Sequence, residues 1–538
     1  MTSVRVLPVG DAALLVELPD LGTTLGFAAA LRAADLPGVL EIVPAARTVL
    51  VRHDPRRVDP GELRRRLGAL EPVPVEPVPV EPVPVEPGRD GSVTIEVRYD
   101  GADLDEVAEH LGCSPAEVVG RHRAATWRVA FTGFAPGFAY LVGDDPRFDV
   151  PRRRAPRARV PAGSVALAGP FSSVYPREGP GGWQVIGRTD APLWDVDRDP
   201  PALLGPGSTV RFVPAERELL SLVGSATPCP QPPPTGFAVE VVDPGLQVLV
   251  QDLGRPGHLA LGVPAAGVAD RAAAIRANRA VGNRGTAAVL ELVGGGAVLR
   301  FVGAGVLGLA GADAPARLTA RDGTRRPVPR ERPTAVEDGD ELTLGDPVTG
   351  WRTVLALRGG FAVAPVLGSR SRDTLSGLGP APLTAGDRVT VLDPASAPFP
   401  VEPEPTGNAP APGAVTDLDV VLGPRTDRFT PAAREILLAQ TWQVTPRSDR
   451  VGLRLAGDVA LERSRDDELP SEGMVPGAVQ VPPDGWPVLF GRDHPVTGGY
   501  PVVAVVVDEH LDRLAQLPPG ARVRFRRRDP DPPSGGTS

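Results

Sequence analysis

Between Glu71 and Pro87 the chain repeats the unit Glu-Pro-Val-Pro-Val, and proline at that density holds the backbone in an extended polyproline geometry that cannot join a core. The repeat therefore reads as a semi-rigid spacer, and whatever folds must fold on either side of it. A second break, TPCPQPPPTG at 227–236, and a Pro-rich stretch at 394–412 divide the remainder. At 538 residues, two to four domains are expected.

Residues 1–70 read as a small α/β unit: VRVLP, ALLVEL, EIVPA and TVLVRHD alternate like strands, and FAAALRAADL has a helical pattern. The unit 88–226 opens on the strand SVTIEVRY. Two short helices follow, the second announced by Ser114, Pro115 and Glu117 as N-cap, first-turn proline and capping-box acid. A longer unit spans 237–528, and 529–538 is expected to be a disordered tail. With 62 Gly and 65 Pro against 4% aromatic residues, short strands and tight turns suit the chain better than helical bundles, so the expected class is mainly β with α+β character. Gly182-Trp183 precedes Gly187-Arg188 much as Gly485-Trp486 precedes Gly491-Arg492. PGSTVRF at 206–212 matches PGARVRF at 519–525, and together these echoes predict two related β-barrels.

The chain has no lysine; all 57 basic residues are arginine. That excludes a lysine-bearing phosphate loop, a Schiff base, a pyridoxal phosphate site and a biotin-carrying residue in this chain. A net charge of -9 argues against a nucleic-acid partner, which requires a basic face. The run Arg152, Arg153, Arg154, Arg157 and Arg159 reads equally as a solvated loop or as an anion or nucleotide contact. Asp11 and Glu17 interrupt the N-terminus before a signal-type apolar run, and no segment is long enough to span a membrane. With only Cys113 and Cys229, neither a disulfide scaffold nor a cysteine metal site is expected. The expectation is a soluble cytoplasmic protein without a membrane partner.

Standard catalytic signatures are absent, and the six histidines have no spacing suited to a metal. Glycine-punctuated runs stand out instead. In FTGFAPGFAYL at 131–141, Phe134 and Phe138 suit a core and the Tyr140 hydroxyl suits a ligand. In RVPAGSVALAG and YPREGPGGWQVIGRT, the glycines Gly179, Gly181 and Gly182 expose backbone N–H groups, while Ser164, Tyr175, Arg188 and Thr189 supply polar side chains. Gln251, Asp252 and Arg255 lie ahead of a helix in which Asp270 sits at the N-cap and Asn278 is an unusual interior residue. Arg450, Arg454, Ser471, Gln480, Asp493, Thr497 and Tyr500 bring guanidinium, amide and hydroxyl groups that recognise carboxylate and amide edges. A polar, glycine-walled cleft for a small molecule is the inference.

These runs carry a resemblance. FTGFAPGFAYL, PRARVPAGSVALAG and GPGGWQVIGRT resemble the allophanate hydrolase subunit 1 family, linked to the B component of 5-oxoprolinase. VQDLGRPG, GVPAAGVAD, VGN, LRGGF, LGSRS, SDRVGLRL and TGGYP resemble the subunit 2 family, linked to the C component of 5-oxoprolinase. The family's Gly-Ala-Met-Asp stands here as Gly267-Val268-Ala269-Asp270, without the methionine. The resemblance implies cyclophilin-like β-barrels with a cleft shared between the two modules. It also implies ATP-dependent opening of 5-oxoproline with Mg2+, carried out with a separate 5-oxoprolinase A component as partner. Two alternatives come with it: carboxyl transfer from biotin to urea, with no biotin attached in cis, and a regulatory pair that inhibits a histidine kinase.

On the oxoprolinase reading, Arg450 and Arg454 would meet a carboxylate or phosphates, and Gln251, Asn278 and Gln480 the amide. Asp252, Asp270 and Asp493 would supply acids for Mg2+ or proton transfer. Tyr140, Ser164, Tyr175, Arg188, Thr189, Arg255, Thr497 and Tyr500 would line the substrate, with Arg157, Gly181 and Gly182 on the nucleotide. A homo-oligomer is compatible with all of this.

Overall fold

The computed structural model describes residues 4–74, 92–153, 155, 157–215, 236–393, 397–401, 409–465, 467 and 469–529. Most of the Glu-Pro-Val-Pro-Val spacer, the 227–236 linker apart from Gly236, Arg154 and the tail beyond Asp529 lie outside the described residues.

The N-terminal unit is a four-stranded antiparallel sheet in the order Arg5–Pro8, Ala13–Glu17, Thr48–His53, Val39–Pro44. Strand alternation gives it two apolar faces. Leu14, Val16, Val49 and Val51 point to the helices Leu21–Ala34 and Pro60–Ala69, whose N-caps are the Asp20 and Asp59 carboxylates. The alternate residues Ala13, Leu15 and Leu50 pack with Met474, Phe490 and Val502, more than four hundred residues away in the chain. Arg425 reinforces that seam by bonding both Glu472 and Glu17.

The next unit is a seven-stranded sheet ordered Gln184–Arg188, Ser164–Ala168, Phe171–Val174, Ala139–Gly143, Trp127–Thr132, Thr209–Pro214, Val93–Val97, with the last two parallel. The helix Pro115–Ala124 carries the expected capping box, with both the Ser114 and Glu117 bonds formed. The span 237–528 holds two bodies. The first is a sandwich of a six-stranded and a five-stranded sheet around Val239, Val250, Leu290, Phe301 and Leu355, with the helix Arg271–Ala280 on its outer face. The second is a closed seven-stranded barrel ordered Val415–Leu422, Val502–Val506, Ala478–Gln480, Val488–Phe490, Gly452–Ala456, Trp442–Val444, Arg522–Arg527. The barrel's first and last strands pair in parallel, as in the earlier unit. The molecule is mainly β, with the two related barrels that the sequence echo predicts.

Candidate functional site

The first barrel meets the second through an aromatic wall. Phe131, Phe138, Tyr140, Tyr175 and Trp183 pack in one cluster that includes Ala45 and Ala46 of the N-terminal sheet. The Phe131 and Tyr140 rings stack with centroids 4.3 Å apart, which aims the tyrosine hydroxyl out of the wall. That hydroxyl lies 3.3 Å from both Ser471 Oγ and Thr497 Oγ1 of the second barrel, and Arg152 Nη2 donates to Ser471 Oγ at 3.0 Å. Close approach depends on glycine: a Cβ on Gly133 would fall 2.6 Å from the Thr497 side chain, and one on Gly499 would fall 2.2 Å from Arg152 Nη1. Gln480 Nε2 donates to the Tyr500 carbonyl at 3.2 Å beside Gly498, so Thr497, Tyr500 and Gln480 share this junction.

Behind the junction lies a buried charged network in which the turn 369–379 is the central element. Asp252 accepts from Ser369 Oγ, Ser371 Oγ and the Gly254 and Arg370 amides, which fixes the start of that turn. Gln251 Nε2 donates to the Arg372 carbonyl at 2.9 Å, and Arg255 donates to the carbonyls of Val366 and Ser371. Asp493 accepts from the Thr374 amide and hydroxyl at 2.8 and 2.7 Å, and binds Arg450 through both carboxylate oxygens. Arg450 also bonds Glu291 and the Gly267 carbonyl, so every nitrogen of its guanidinium is engaged. Burial disfavours the Arg450 charge, and Asp493 and Glu291 together outweigh it and raise its pKa. Asp373 sits in the same turn, accepting from Ser376 Oγ and the Leu375 and Ser376 amides. Burial, reinforced by nearby Asp493, raises the pKa of its carboxyl.

Two family models account for the halves that meet here. Residues 4–204 match the carboxyltransferase domain, subdomains C and D, and residues 261–527 match the carboxyltransferase domain, subdomains A and B. The chain belongs to the carboxyltransferase-domain family. Its C/D half is 39% identical over 223 residues to the B subunit of 5-oxoprolinase from Escherichia coli O157:H7, covering 97% of that protein and 40% of this chain. Its A/B half is 33% identical over 298 residues to the C subunit of 5-oxoprolinase from Escherichia coli K12, covering 90% of that protein and 53% of this chain. The crystal structure of TTHA0988 matches the chain nearly end to end, with 33% identity, a TM-score of 0.77, and coverage of 97% of this chain and all of that one. The carboxyltransferase order C/D then A/B is thus a fusion of B-like and C-like parts.

The carboxyltransferase halves take up other expected residues differently. Asp270 caps the helix Arg271–Ala280 and accepts from Gln516, and burial with Asp512 close by raises its carboxyl to about 6. Asn278 closes that helix through the Ala287 carbonyl and Asn283. Ser164 and Thr189 are buried at a strand corner, where the Ser164 carbonyl accepts from the Tyr175 amide and the Thr189 amide donates to the Gly163 carbonyl. Arg188 is exposed and pairs with Asp100, while Arg454 lies on the strand Gly452–Ala456 with its amide bonded to Ser448. Arg157 is held bidentately by Asp103, and Gly181 is a glycine because a Cβ there would lie 2.2 Å from the Tyr175 hydroxyl. The Gly182 carbonyl accepts from the Arg153 amide. Sequence reasoning does not single out Glu291, Ser369, Ser371, Asp373, Thr374 or Arg177. The LGSRS run is the one signal for part of them. Elsewhere, Asp419, Glu509 and His510 place one ligand atom each within 4.8 Å; Glu509 pairs with Arg528 and His510 Nδ1 accepts from the Asp419 amide. No helix among the described residues is long and apolar enough to cross a membrane.

Proposed function

We propose that the chain is the fused B and C component of an ATP-dependent 5-oxoprolinase, opening the lactam of 5-oxoproline to glutamate together with a separate A component. The observation that supports this is the junction itself: Tyr140 of the B-like half reaches Ser471 and Thr497 of the C-like half, so the two parts share one polar contact. A lactam carbonyl is a poor electrophile, and phosphorylation of its oxygen would make attack by water far easier. The work left to this chain is positioning and charge stabilisation. Tyr140, Ser471, Thr497 and Arg152 would orient the ring.

The groups expected to take a nucleotide and Mg2+ do not fit them well. Gly181 is filled by the Tyr175 hydroxyl and Arg157 is tied to Asp103. Asp252 and Asp493 already accept several N–H and O–H donors. Nucleotide binding is therefore assigned to the partner protein.

The test is glutamate formation from 5-oxoproline and ATP by the purified chain, alone and mixed with a 5-oxoprolinase A component from the same genome. Turnover only in the mixture is expected, with Tyr140→Phe lowering it. No glutamate, with an A component competent in a control pairing, would overturn the reading. Carboxyl transfer to urea from an exogenous biotin carrier, then histidine-kinase inhibition, would be the assays to run next.

A further inference from the structure

Three arginines converge on the turn 372–377 with hydrogen-bonding capacity left over. Arg177 extends from the C/D half after the strand Phe171–Val174, and a Cβ on Gly377 would lie 2.9 Å from its Nη1, so its guanidinium rests directly on that glycine. On the same residue's other side, Arg372 Nη1 donates to the carbonyls of Gly377 at 2.6 Å and Gly379 at 3.1 Å. Arg255 lies beneath, bonded to the Ser371 carbonyl and 1% exposed. Among the described residues, Nη1 of Arg177, Nη1 of Arg255 and Nε of Arg372 are buried without a hydrogen-bond partner, as is Oε1 of Gln251 next to them. Arg177 and Arg372 are themselves only half-buried, and they come from the two different halves.

Like charges brought together out of water repel, and a buried N–H without an acceptor costs free energy. The nearest carboxylate, Asp373, attracts all three without accepting a hydrogen bond from any of them. Asp373 directs its oxygens to Ser376 and the turn's own amides. Desolvation lowers the pKa of Arg177, Arg255 and Arg372 alike, outweighing the attraction that Asp373 exerts on all three. A planar oxyanion would satisfy two guanidinium edges at once.

We infer that Arg177 of the C/D half and Arg372 of the A/B half form a carboxylate-binding subsite over Gly377, which holds the carboxylate of the lactam substrate across the two halves. Identifying that carboxylate as the substrate's rests on the oxoprolinase reading; the oxyanion subsite itself does not. The subsite exists only when both halves are present, which gives the fusion a chemical reason. Arg450, whose guanidinium is already engaged, is relieved of this role. Gln251 Oε1, an acceptor in the deeper wall, suits a ligand whose N–H neighbours its carboxylate.

The test is ligand-observed NMR titration of the full chain, without ATP or the A component, using 5-oxoproline, the carboxylate-free lactam 2-pyrrolidinone, and inorganic phosphate. Arg177→Gln is the variant of choice because no hydrogen bond from the Arg177 guanidinium ties it to another described residue, and a melting curve checks that the variant folds. The expected result is at least a tenfold loss of 5-oxoproline affinity in Arg177→Gln, partial recovery in Arg177→Lys, and unchanged 2-pyrrolidinone binding. Arg177-dependent binding of phosphate but not 5-oxoproline would keep the oxyanion subsite and reassign its occupant. Equal affinities in wild type and Arg177→Gln, equal loss for both lactams, or no binding of any probe would overturn it. Glutamate formation failing while Arg177-dependent 5-oxoproline binding persists would overturn the reaction and leave the subsite standing.

Discussion

The two barrels repeat one plan and close it differently. In each, the first and last strands pair in parallel and a tryptophan on the strand after a helix donates its indole N–H to the carbonyl five residues earlier: Trp127 to His122 at 2.9 Å, Trp442 to Leu437 at 3.0 Å. The second barrel closes through the continuous pairing of Val420, Val421 and Leu422 with Val506, Val505 and Ala504. The first closes only by the bridge between Arg98 and Arg188, followed by an irregular stretch in which Gly101 and Asp103 bond Ile186 and Val185. Gly101 is required there, since a Cβ would fall 2.3 Å from the opposing backbone. The regular barrel serves as the base against which the N-terminal sheet and the sandwich pack. The irregular one supplies Tyr140 and Arg152, which bond the second barrel across the junction.

The ion pairs differ in the same sense, and this gives the largest expected effect. Arg450 ties the second barrel to the sandwich through Asp493 and Glu291, all three fully buried, whereas in the first barrel a partly exposed Arg157 covers the buried Asp103. Arg450→Met would leave buried Asp493 without its ion-pair partner and Glu291 with Arg352 alone at 3.4 Å, a loss of about 5 kcal/mol. Arg157→Met should lose only about 1 kcal/mol, because Arg153 and the Val185 amide still hold Asp103. Denaturant unfolding of the full chain measures both; equal losses would refute the distinction between the two pairs.

The tryptophans test the shared plan. Both side chains are completely buried, so Trp127→Ala and Trp442→Ala should each destabilise their barrel by about 4 kcal/mol. Calorimetry that finds one substitution nearly silent would show that the equivalence is only topological.

A pH effect separates the barrels at the residue whose carbonyl the tryptophan bonds. His122 is buried, bonded to Tyr99 Oη and Ser172 Oγ, and burial lowers its pKa to about 3, while the second barrel has Leu437 in its place. Folded His122 stays neutral where the unfolded residue takes up a proton. Its penalty is thus absent above about pH 6.5 and grows by about 1.4 kcal/mol per pH unit as pH falls towards 3. His122→Leu with Ser172→Ala should remove one proton uptake from the acid limb. Buried His494 of the second barrel, lowered to about 4, would remain. Unfolding free energies at pH 7 and 5 check the difference.

Much of the fold can be read from residues near one another in the chain. The capping box at Ser114 and Glu117, the alternation in the N-terminal strands and the repeated Gly-Trp and PGxxVRF runs all have local causes. The period of two marks Leu14 and Leu15 as facing opposite ways, but both are apolar. Nothing local says that Leu15 meets Phe490 while Leu14 meets Phe27. The site is legible in the sequence as chemistry and not as geometry. Tyr140 and Thr497 join across the junction, whereas Arg450 and Asp252 are engaged by buried partners more than a hundred residues away in the chain. Arg177 reads as an ordinary loop charge because its significance depends on Gly377, two hundred residues downstream.

The smallest effect belongs to the seam itself. Arg188 pairs with Asp100 at 3.0 Å with about half of its side chain exposed, and Arg524 pairs with Asp417 at 2.8 Å in the second barrel under similar exposure. Exposed pairs of this kind contribute about 0.2–1 kcal/mol, because water screens the attraction and ordering two long side chains opposes it. Arg188→Ala and Arg524→Ala should therefore cost equally little at low salt, and the difference should vanish in about 1 M salt. If the first barrel's closure depends on its backbone bridge, Arg188→Ala should also leave amide exchange at Arg98 unchanged, since the bonds of that bridge run between main-chain groups at 2.8 and 2.9 Å. Faster exchange there, without a matching change next to Arg524, would mean that the side-chain pair holds the open seam together, which the continuous ladder of the second barrel does not require.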